Sequence, residues 1–489
     1  MPAIVIQTPY NKENARSLWF TDDSGQPLFG SRDYAFVVVD WRGFFASKDA
    51  AVEGQQPYGQ DGYDVIEWVA AQDWCNGQVG TWGVSALCVQ QYRTAVEHPP
   101  HLAAAVPIFC QMNTTYWQYY PGGVLRQEYY DFMKAYYGGG DIVKRHPYYD
   151  TVWRTVERGL SAADIAVPML LVSGWWDLYD TGTLDDFRAL RANSDSLVRQ
   201  QHRLLVGPWC HFAAGGESVA GRPLDEQELK YYDADKLIQA DSQAFFDRHL
   251  RGIASPADDW QPARWLVGGT RQPEDGTSWP PAGTVVRAFY PTGGGSLIEQ
   301  VPLATILDFP YDPDNPSPSV GGSTLLPSLK HGPRLQDEVL ARTDALGFVS
   351  NPLAQPLRLR GKVKMQLRVK TSGADSDFAV RLTDVDEDGG HLLIGEGIGR
   401  LKLRSGYDAP VGVQPGQPYD LIVTLTNELA YDLPAGHRLG IIVSSSNYPR
   451  FARNPNTGDD FYEDATAPQT VTNTLVLGGA TRLLVQVLP

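Results

Sequence analysis

Residues 80–88, GTWGVSALC, carry the first indication of how this chain folds. Residues 79–84 predict a buried strand and residues 86–96 predict a helix, so Ser85 would lie on the tight turn between them. A serine on such a strand-to-helix turn exposes its hydroxyl beside a backbone N–H and is usually a nucleophile. Such turns commonly have a glycine two residues after the serine, but this chain has Leu87 at that position. The rest of the chain must therefore supply a base, an acid and oxyanion donors.

The segments around this turn alternate between strand-like and helix-like patterns. Apolar strands are predicted at residues 3–7, 34–40, 103–109, 167–173 and 203–206. Such alternation is typical of an α/β domain whose mostly parallel sheet is covered by helices on both faces. We assign residues 1–110 and 161–260 to this discontinuous domain.

Two further regions have a different character. Residues 111–160 are rich in tyrosine and tryptophan and are broken at glycines 138–140, which predicts a small helical cap inserted into the first domain. Residues 261–489 contain short alternating segments separated by turns, which is the pattern of an antiparallel β-sandwich. A chain of 489 residues is long enough for two or three domains.

Charge and composition limit the functional classes. The net charge of −16 disfavours nucleic-acid partners and anionic membrane surfaces. The chain has neither a run of about 18 apolar residues nor a signal-peptide pattern, so we expect a cytoplasmic protein that does not bind membranes. No cofactor and no metal are expected. The chain has four scattered cysteines, which are Cys75, Cys88, Cys110 and Cys210. We predict that all four are free buried thiols.

Two residues that follow predicted strands can complete a catalytic triad with Ser85. A serine hydroxyl needs a histidine to take its proton and a carboxylate to orient that histidine. Asp177 follows the strand 167–173, and His211 follows the strand 203–206. In α/β-hydrolases the order along the chain is nucleophile, acid, base, which Ser85, Asp177 and His211 satisfy.

The chain resembles the family of cocaine esterase, α-amino acid ester hydrolases and X-Pro dipeptidyl-peptidases. The motifs that carry the resemblance extend over nearly the whole sequence. They are TPYNK (8–12), DWRG (40–43), GVS (83–85), GWWD (174–177), GPW-x-H (207–211), FDRHLRG (246–252), SGADSDFAVRL (372–382) and residues 434–455.

The resemblance implies an α/β-hydrolase domain with an inserted helical cap, followed by a C-terminal jelly-roll sandwich. It implies that Ser85 is the nucleophile, His211 the general base and Asp177 its orienter. The hydroxyl of Tyr10 and the backbone N–H of Ala86 would be the oxyanion donors. The chain departs from the family at Cys88, where a glycine is usual, and it begins almost at the tyrosine strand, so we expect a trimmed sheet or an upstream start.

The aromatic residues near these motifs favour a small acyl group of apolar or aromatic character. We therefore expect a carboxylic ester hydrolase that forms an acyl-enzyme and acts on a small ester, an amide or a short peptide. The sequence is also compatible with a homodimer. The residues expected to contact substrate are Trp175, Trp176, Tyr179, Asp180, Trp209, Tyr116 and Trp117.

Several alternatives remain open at this point. Asp180 could hold the amine of an α-amino acid ester, or it could cap the helix that follows it. Glu128 and Asp131 are candidates for the amine anchor of an X-Pro dipeptidyl-peptidase. The sandwich could instead be a binding module. Asp375, Asp377 and the acidic turn 384–388 could suggest Ca²⁺, although a solvated turn is the simpler interpretation.

Overall fold

The computed structural model describes residues 1–14, 33–138, 141–211, 218–219, 222–231 and 234–489. The chain divides into two compact units. Unit 1 comprises Met1–Thr114, Arg158–Leu266 and Gln272–Trp279. Unit 2 comprises Thr115–Glu157, Val267–Arg271 and Pro280–Pro489, so the segment predicted as a cap groups with the predicted sandwich.

Unit 1 is built on an eight-stranded sheet with the order β10-β9-β6-β5-β4-β3-β1-β2. Its strands are parallel except that β10 pairs antiparallel with β9. A separate two-stranded hairpin is formed by β7 and β8. The strands are β1 (Ala3–Thr8), β2 (Ala35–Asp40), β3 (Val79–Val84), β4 (Leu102–Ile108), β5 (Leu170–Trp176), β6 (Arg203–Cys210), β7 (Ser218–Val219), β8 (Arg222–Pro223), β9 (Ala263–Leu266) and β10 (Pro273–Gly276).

The helices of unit 1 connect these strands and cover the sheet. Strands such as β1 and β3 are buried along their whole length, as expected for parallel strands covered on both faces. The core joins Ile4, Val106, Val172 and Phe245 across the sheet and its helices. The α-helices are Tyr58–Ala70, Ala86–Ala95, Asp180–Asn193, Glu226–Leu229 and Asp235–Phe246, a π-helix is Asp247–Arg251, and the 3₁₀ helices are Phe45–Ala50, Ala162–Asp164 and Pro256–Asp258.

Unit 2 contains a twelve-stranded, almost entirely antiparallel arrangement. Only β12 and β14 pair in parallel among the strands described. Alternate residues of β15 point into one large apolar core. The strands are β11 (Val285–Pro291), β12 (Ser296–Ile298), β13 (Ile306–Tyr311), β14 (Ala345–Ser350), β15 (Leu357–Thr371), β16 (Asp377–Val385), β17 (His391–Arg400), β18 (Tyr419–Thr424), β19 (Leu429–Leu433), β20 (Arg438–Ser444), β21 (Val471–Val476) and β22 (Arg482–Leu488).

The short helices of the predicted cap pack against this β-structure within unit 2. Gly122, with φ of +61°, lies so close to β17 that a Cβ atom there would collide with the Ile398 carbonyl. Val124 completes a small core with Ala379, Ile398 and Phe451. The α-helices of unit 2 are Tyr116–Tyr119, Gln127–Tyr137, Asp141–Arg145, Thr151–Val156 and Asp337–Leu340, and the 3₁₀ helices are Pro121–Gly123, Leu401–Leu403 and Tyr462–Asp464.

The predicted fold class, an α/β-hydrolase domain followed by an all-β C-terminal domain, is confirmed. The prediction of four free thiols is wrong for two of them, because Cys88 and Cys110 form a disulfide, with Cα atoms 6.0 Å apart. Neither Cys75 nor Cys210 is part of this disulfide. The expected cytoplasmic location stays a prediction. Within the described ranges, no helix combines the length and the apolar character needed to cross a membrane.

Candidate active site

The turn that holds Ser85 has the geometry predicted for a nucleophile. Ser85 lies between the end of β3 and the start of helix Ala86–Ala95, with φ of 59° and ψ of −121°. A positive φ is strained for a residue that carries a Cβ atom, and such strain is typical of functional turns. The Ser85 N–H donates to the Ile108 carbonyl at 2.9 Å, which ties the turn to β4.

The same turn explains why Leu87 can stand where a glycine is common. Gly83 has a φ of +153°, and a Cβ atom built on it would lie 2.5 Å from the Cβ atom of Leu87. Leu87 is itself fully buried. The space for the leucine therefore comes from the missing side chain of Gly83 on the other side of the turn.

Ser85, His211 and Asp177 meet at the carboxyl edge of the parallel sheet. Asp177 follows the end of β5, and His211 follows the end of β6. The His211 Nδ1 atom lies 2.6 Å from Asp177 Oδ2, and the His211 Nε2 atom lies 3.1 Å from Ser85 Oγ. Asp177 and His211 are buried, whereas Ser85 is half-buried. Because a carboxylate only accepts, Nδ1 carries the proton and Nε2 is left to accept from the serine hydroxyl.

The Asp177 carboxylate is held on both of its oxygens. While Oδ2 faces His211, Oδ1 accepts the backbone N–H of Tyr179 at 2.6 Å. The rings of Tyr179 and Phe109 lie on His211, with centroid distances of 5.5 and 6.2 Å. These contacts fix both the carboxylate and the imidazole plane.

Tyr10 and Ala86, the predicted oxyanion donors, lie at the same edge as Ser85. Tyr10 stands two residues beyond β1, which pairs in parallel with β3, and its N–H donates to Thr8 Oγ1 at 2.9 Å. Ala86 is the first residue of its helix, where N–H groups have no partner inside the helix. Asp40 ties the tyrosine loop to β2 by accepting the Lys12 N–H at 2.7 Å.

We predicted no functional role for Asp40, although it has the feature that identified Asp177, which is its position at the end of a predicted strand. Both aspartates follow or end a strand of the parallel sheet, and both are buried. The motif DWRG served only for the resemblance. Phe109 was likewise missed, because a phenylalanine beside a strand end has no distinctive sequence signal.

The residues expected to contact substrate have different surroundings. Trp175 donates its indole N–H to the Leu266 carbonyl at 2.8 Å and packs on Trp279, while Trp209 fills space against Gly174 and Gly207. These two rings belong to the packing of unit 1. Trp176 is also buried. Of the four aromatic candidates in unit 1, Tyr179 is the one described in contact with His211.

The two cap candidates, Tyr116 and Trp117, are adjacent but differ in exposure. Tyr116 is buried, donates its hydroxyl to the Pro147 carbonyl at 2.8 Å and stacks on Tyr120 with centroids 5.1 Å apart. It therefore belongs to the aromatic core of the cap segment. Trp117 is half-buried.

The helix-cap interpretation of Asp180 is wrong. Helix Asp180–Asn193 begins at this residue, its N-cap is Tyr179, and the Tyr179 side chain makes no capping hydrogen bond. Asp180 is fully buried in the first helical turn, where a negative charge is favoured by the helix dipole. Its position three residues after Asp177 keeps it beside the acid of the candidate triad.

Glu128 and Asp131, the candidates for an amine anchor, both contact other groups of the protein. Glu128 is buried, accepts the Leu325 N–H at 3.0 Å and interacts with the guanidinium groups of Arg126 and Arg450. Burial raises the pKa of the Glu128 carboxyl, and the two arginines oppose that shift. Asp131 is exposed and accepts from the Gln127 amide at 2.8 Å. Glu128 is thus committed to an internal ion network of unit 2.

The acidic residues considered for Ca²⁺ are paired with protein groups. Arg400 donates to both oxygens of Asp377, at 2.9 and 3.0 Å, and Asn454 donates to Asp375 at 3.0 Å. Asp384 accepts from the Tyr431 hydroxyl at 2.8 Å and is buried, so the interpretation of a solvated turn is wrong for this residue.

Comparisons with known proteins support the family resemblance seen in the sequence motifs. The profile of the X-Pro dipeptidyl-peptidase (S15 family) matches residues 1–145 and 139–213. That of the X-Pro dipeptidyl-peptidase C-terminal non-catalytic domain matches residues 257–484. Cocaine esterase from Rhodococcus sp. (strain MB1 Bresler) is 29% identical, over 94% of this chain and 88% of the esterase. A putative serine esterase from Mycobacterium tuberculosis is 22% identical, over 87% of this chain and 80% of the relative.

Two solved structures share the fold. An aminopeptidase from a marine sediment Thaumarchaeota archaeon superposes with a TM-score of 0.83 at 20% identity, over 100% of this chain and 92% of the other. An α-amino acid ester hydrolase superposes with a TM-score of 0.81 at 22% identity, over 99% and 92%. The two profiles and the esterase relative together show that this chain belongs to the family of X-Pro dipeptidyl-peptidases (S15) and cocaine esterase, and that it is a hydrolase.

Proposed function

We propose that this protein is a carboxylic ester hydrolase that cleaves small apolar or aromatic acyl esters, or the corresponding amides, through an acyl-enzyme on Ser85. The observation that carries the proposal is the line of contacts from Ser85 Oγ to His211 Nε2 at 3.1 Å and from His211 Nδ1 to Asp177 at 2.6 Å. The similarity to cocaine esterase, whose name denotes ester cleavage, supports the same reaction class.

The chemistry follows from the proton path. His211 takes the proton of Ser85 as Oγ attacks the substrate carbonyl, and the imidazolium is stabilised by the buried Asp177 carboxylate. The negative charge that develops on the carbonyl oxygen would be met by the Tyr10 hydroxyl and the Ala86 N–H, and each such donor contributes about 3 kcal/mol. His211 then protonates the leaving alcohol. A water molecule, activated by the same imidazole, releases the acid from Ser85.

The test is hydrolysis of p-nitrophenyl acyl esters by the purified full chain. Ser85→Ala should lower kcat by at least about 10⁴-fold, because the acyl-enzyme cannot form, and His211→Ala should lower it by about as much. Ser296→Ala, which removes an exposed hydroxyl from β12, is the matched control and should keep full activity. Full turnover in both triad variants would refute the assignment of nucleophile and base.

A second candidate is activity on esters or peptides that carry a free α-amine. The observation that favours it is the buried carboxylate of Asp180, which follows the triad acid by three residues and is not the N-cap of its helix. A carboxylate near the acyl site attracts an ammonium group strongly when water is excluded. The comparison proteins that act on such substrates, an aminopeptidase and an α-amino acid ester hydrolase, share the fold.

The two candidates are separated by one pair of substrates. An aminoacyl p-nitrophenyl ester and its desamino analogue differ only in the amine. A preference of tenfold or more for the amine in kcat/KM, lost in Asp180→Asn, would favour the second candidate, since tenfold corresponds to about 1.4 kcal/mol. Equal kcat/KM for both substrates, unchanged by the substitution, would remove it and leave the simple esterase.

A further inference from the structure

A buried glutamine on the nucleophile helix is bonded to the two strands that meet at the nucleophile turn. The Gln91 side-chain carbonyl accepts the Val106 N–H at 3.0 Å and the Thr81 hydroxyl at 3.1 Å. Its amide group donates to the Val106 carbonyl at 3.1 Å and to the Gly83 carbonyl at 3.2 Å. Gln91 is 3% exposed, so these bonds form away from water.

These contacts are placed where they can control the turn. Gly83 is two residues before Ser85, and Val106 is two residues before Ile108, whose carbonyl accepts the Ser85 N–H at 2.9 Å. The Gln91 side chain therefore holds β3 and β4 together two residues before the nucleophile. Since Ser85 is strained and β3 ends immediately before it, a small shift of Gly83 changes the direction of the serine side chain.

We propose that Gln91 is a positioning residue for the nucleophile. Its carboxamide fixes the Gly83 carbonyl against β4 and so keeps Ser85 Oγ within proton-transfer distance of His211. The proposal rests on the proposed role of Ser85 and adds the device that aims it. Misplacing a reacting group by about 1 Å can cost on the order of 100-fold in rate, so the expected effect is on the chemical step.

The adjacent residue provides a matched control. Gln90 is also a buried glutamine of the same helix, with 1% exposure. Its amide donates to the Tyr58 carbonyl at 2.6 Å and to the Gln7 side chain at 3.3 Å, and its described bonds do not reach the nucleophile turn. Replacing either glutamine by methionine removes a buried, hydrogen-bonded amide at similar volume, and both variants should lose stability for that reason.

The experiment compares Gln91→Met with Gln90→Met by thermal melting, by kcat and KM on a p-nitrophenyl ester, and by the rate at which a fluorophosphonate labels Ser85. We expect both variants to melt at lower temperature. Gln91→Met should lower kcat and the labelling rate by about 10- to 100-fold with KM within about threefold, whereas Gln90→Met should keep both rates within about threefold. Equal rate losses in the two variants, or no loss in Gln91→Met, would overturn the proposal.

A second variant keeps the test decisive if Gln91→Met does not fold. Gln91→Glu has the same shape, and its protonated acid can still donate to one of the two carbonyls. Burial raises the pKa of such an acid, and its ionisation removes the donor. The ratio of Gln91→Glu activity to wild-type activity should therefore fall as pH rises. A ratio near one at every pH would contradict the proposed role.

Failure of this inference is distinguishable from failure of the proposed function. If wild-type Ser85 is not labelled by the fluorophosphonate, the nucleophile assignment fails. If Ser85 is labelled at the same rate in wild type and in Gln91→Met, only the positioning role of Gln91 fails.

Discussion

Asp177→Asn is expected to disable the candidate triad without disturbing its geometry. Both carboxylate oxygens accept N–H groups, Oδ2 from His211 and Oδ1 from the Tyr179 backbone at 2.6 Å. An asparagine has only one oxygen. Because the backbone N–H of Tyr179 cannot become an acceptor, the oxygen stays there and the amide NH₂ faces His211. The imidazole then presents a bare Nδ1, and its proton moves to Nε2, which can no longer accept from Ser85.

The size of the effect follows from this change of tautomer. The donor–acceptor match at Tyr179 holds the asparagine in the unproductive orientation, so the loss should be close to that of removing the base. We expect kcat to fall by about 10⁴-fold, which corresponds to about 5.4 kcal/mol of transition-state stabilisation. The folded structure should persist, since the variant keeps the shape of the side chain and the bond to Tyr179.

The assay is steady-state hydrolysis of a p-nitrophenyl ester, with thermal melting as the folding check. Asp186→Asn is the matched control, because Asp186 also accepts a backbone N–H, from Met112 at 2.6 Å, but has no described contact with His211. The control should keep kcat within about twofold. If Asp177→Asn retains a tenth or more of wild-type kcat while folded, the reasoning about the tautomer is refuted.

Three further predictions concern stability and covalent structure. Alkylation in denaturant without reductant should modify only two cysteines, because Cys88 and Cys110 are joined, and mass spectrometry that finds four modified would contradict the disulfide. Burial raises the pKa of Asp186 to about 8, so the folded state binds this proton more tightly than the unfolded chain does. The contribution of Asp186 to the unfolding free energy should therefore decrease from about pH 4 to pH 8, so the melting temperature of Asp186→Asn should rise relative to that of the wild type over that range. Glu128→Gln removes one buried negative charge beside the Arg126 and Arg450 guanidinium groups, and Arg450 keeps its ion pair with Glu396. The variant should lower the unfolding free energy by about 3 kcal/mol in denaturant titrations, with no change in preference for aminoacyl esters.

The strands and the order of the site residues were accessible from the sequence for a simple reason. The apolar segments that predict parallel strands are local, and the carboxyl ends of such strands meet at one edge of the sheet. Residues that directly follow strands, such as Ser85, Asp177 and His211, therefore come together without any knowledge of loop geometry. The contacts among them are consistent with that expectation.

The direction of individual side chains could not be predicted in this way. Trp175 and Trp176 are neighbours in the same motif, yet Trp175 packs on Trp279, about a hundred residues later in the chain. The acceptor of its indole N–H, the Leu266 carbonyl, is 91 residues away. A strand places successive side chains on opposite faces, and which face meets the substrate depends on the elements that pack there.

The fold class, the family and the order of nucleophile, acid and base could be predicted from the amino-acid sequence, because these depend on local patterns and on motif identity. The three-dimensional structure was needed to show that Cys88 pairs with Cys110, that Glu128 joins an ion network with Arg450, and that Gln91 bridges β3 and β4 at the nucleophile turn. Each of these contacts joins side chains to partners far along the chain. Their energies depend on burial and orientation, which no local pattern contains.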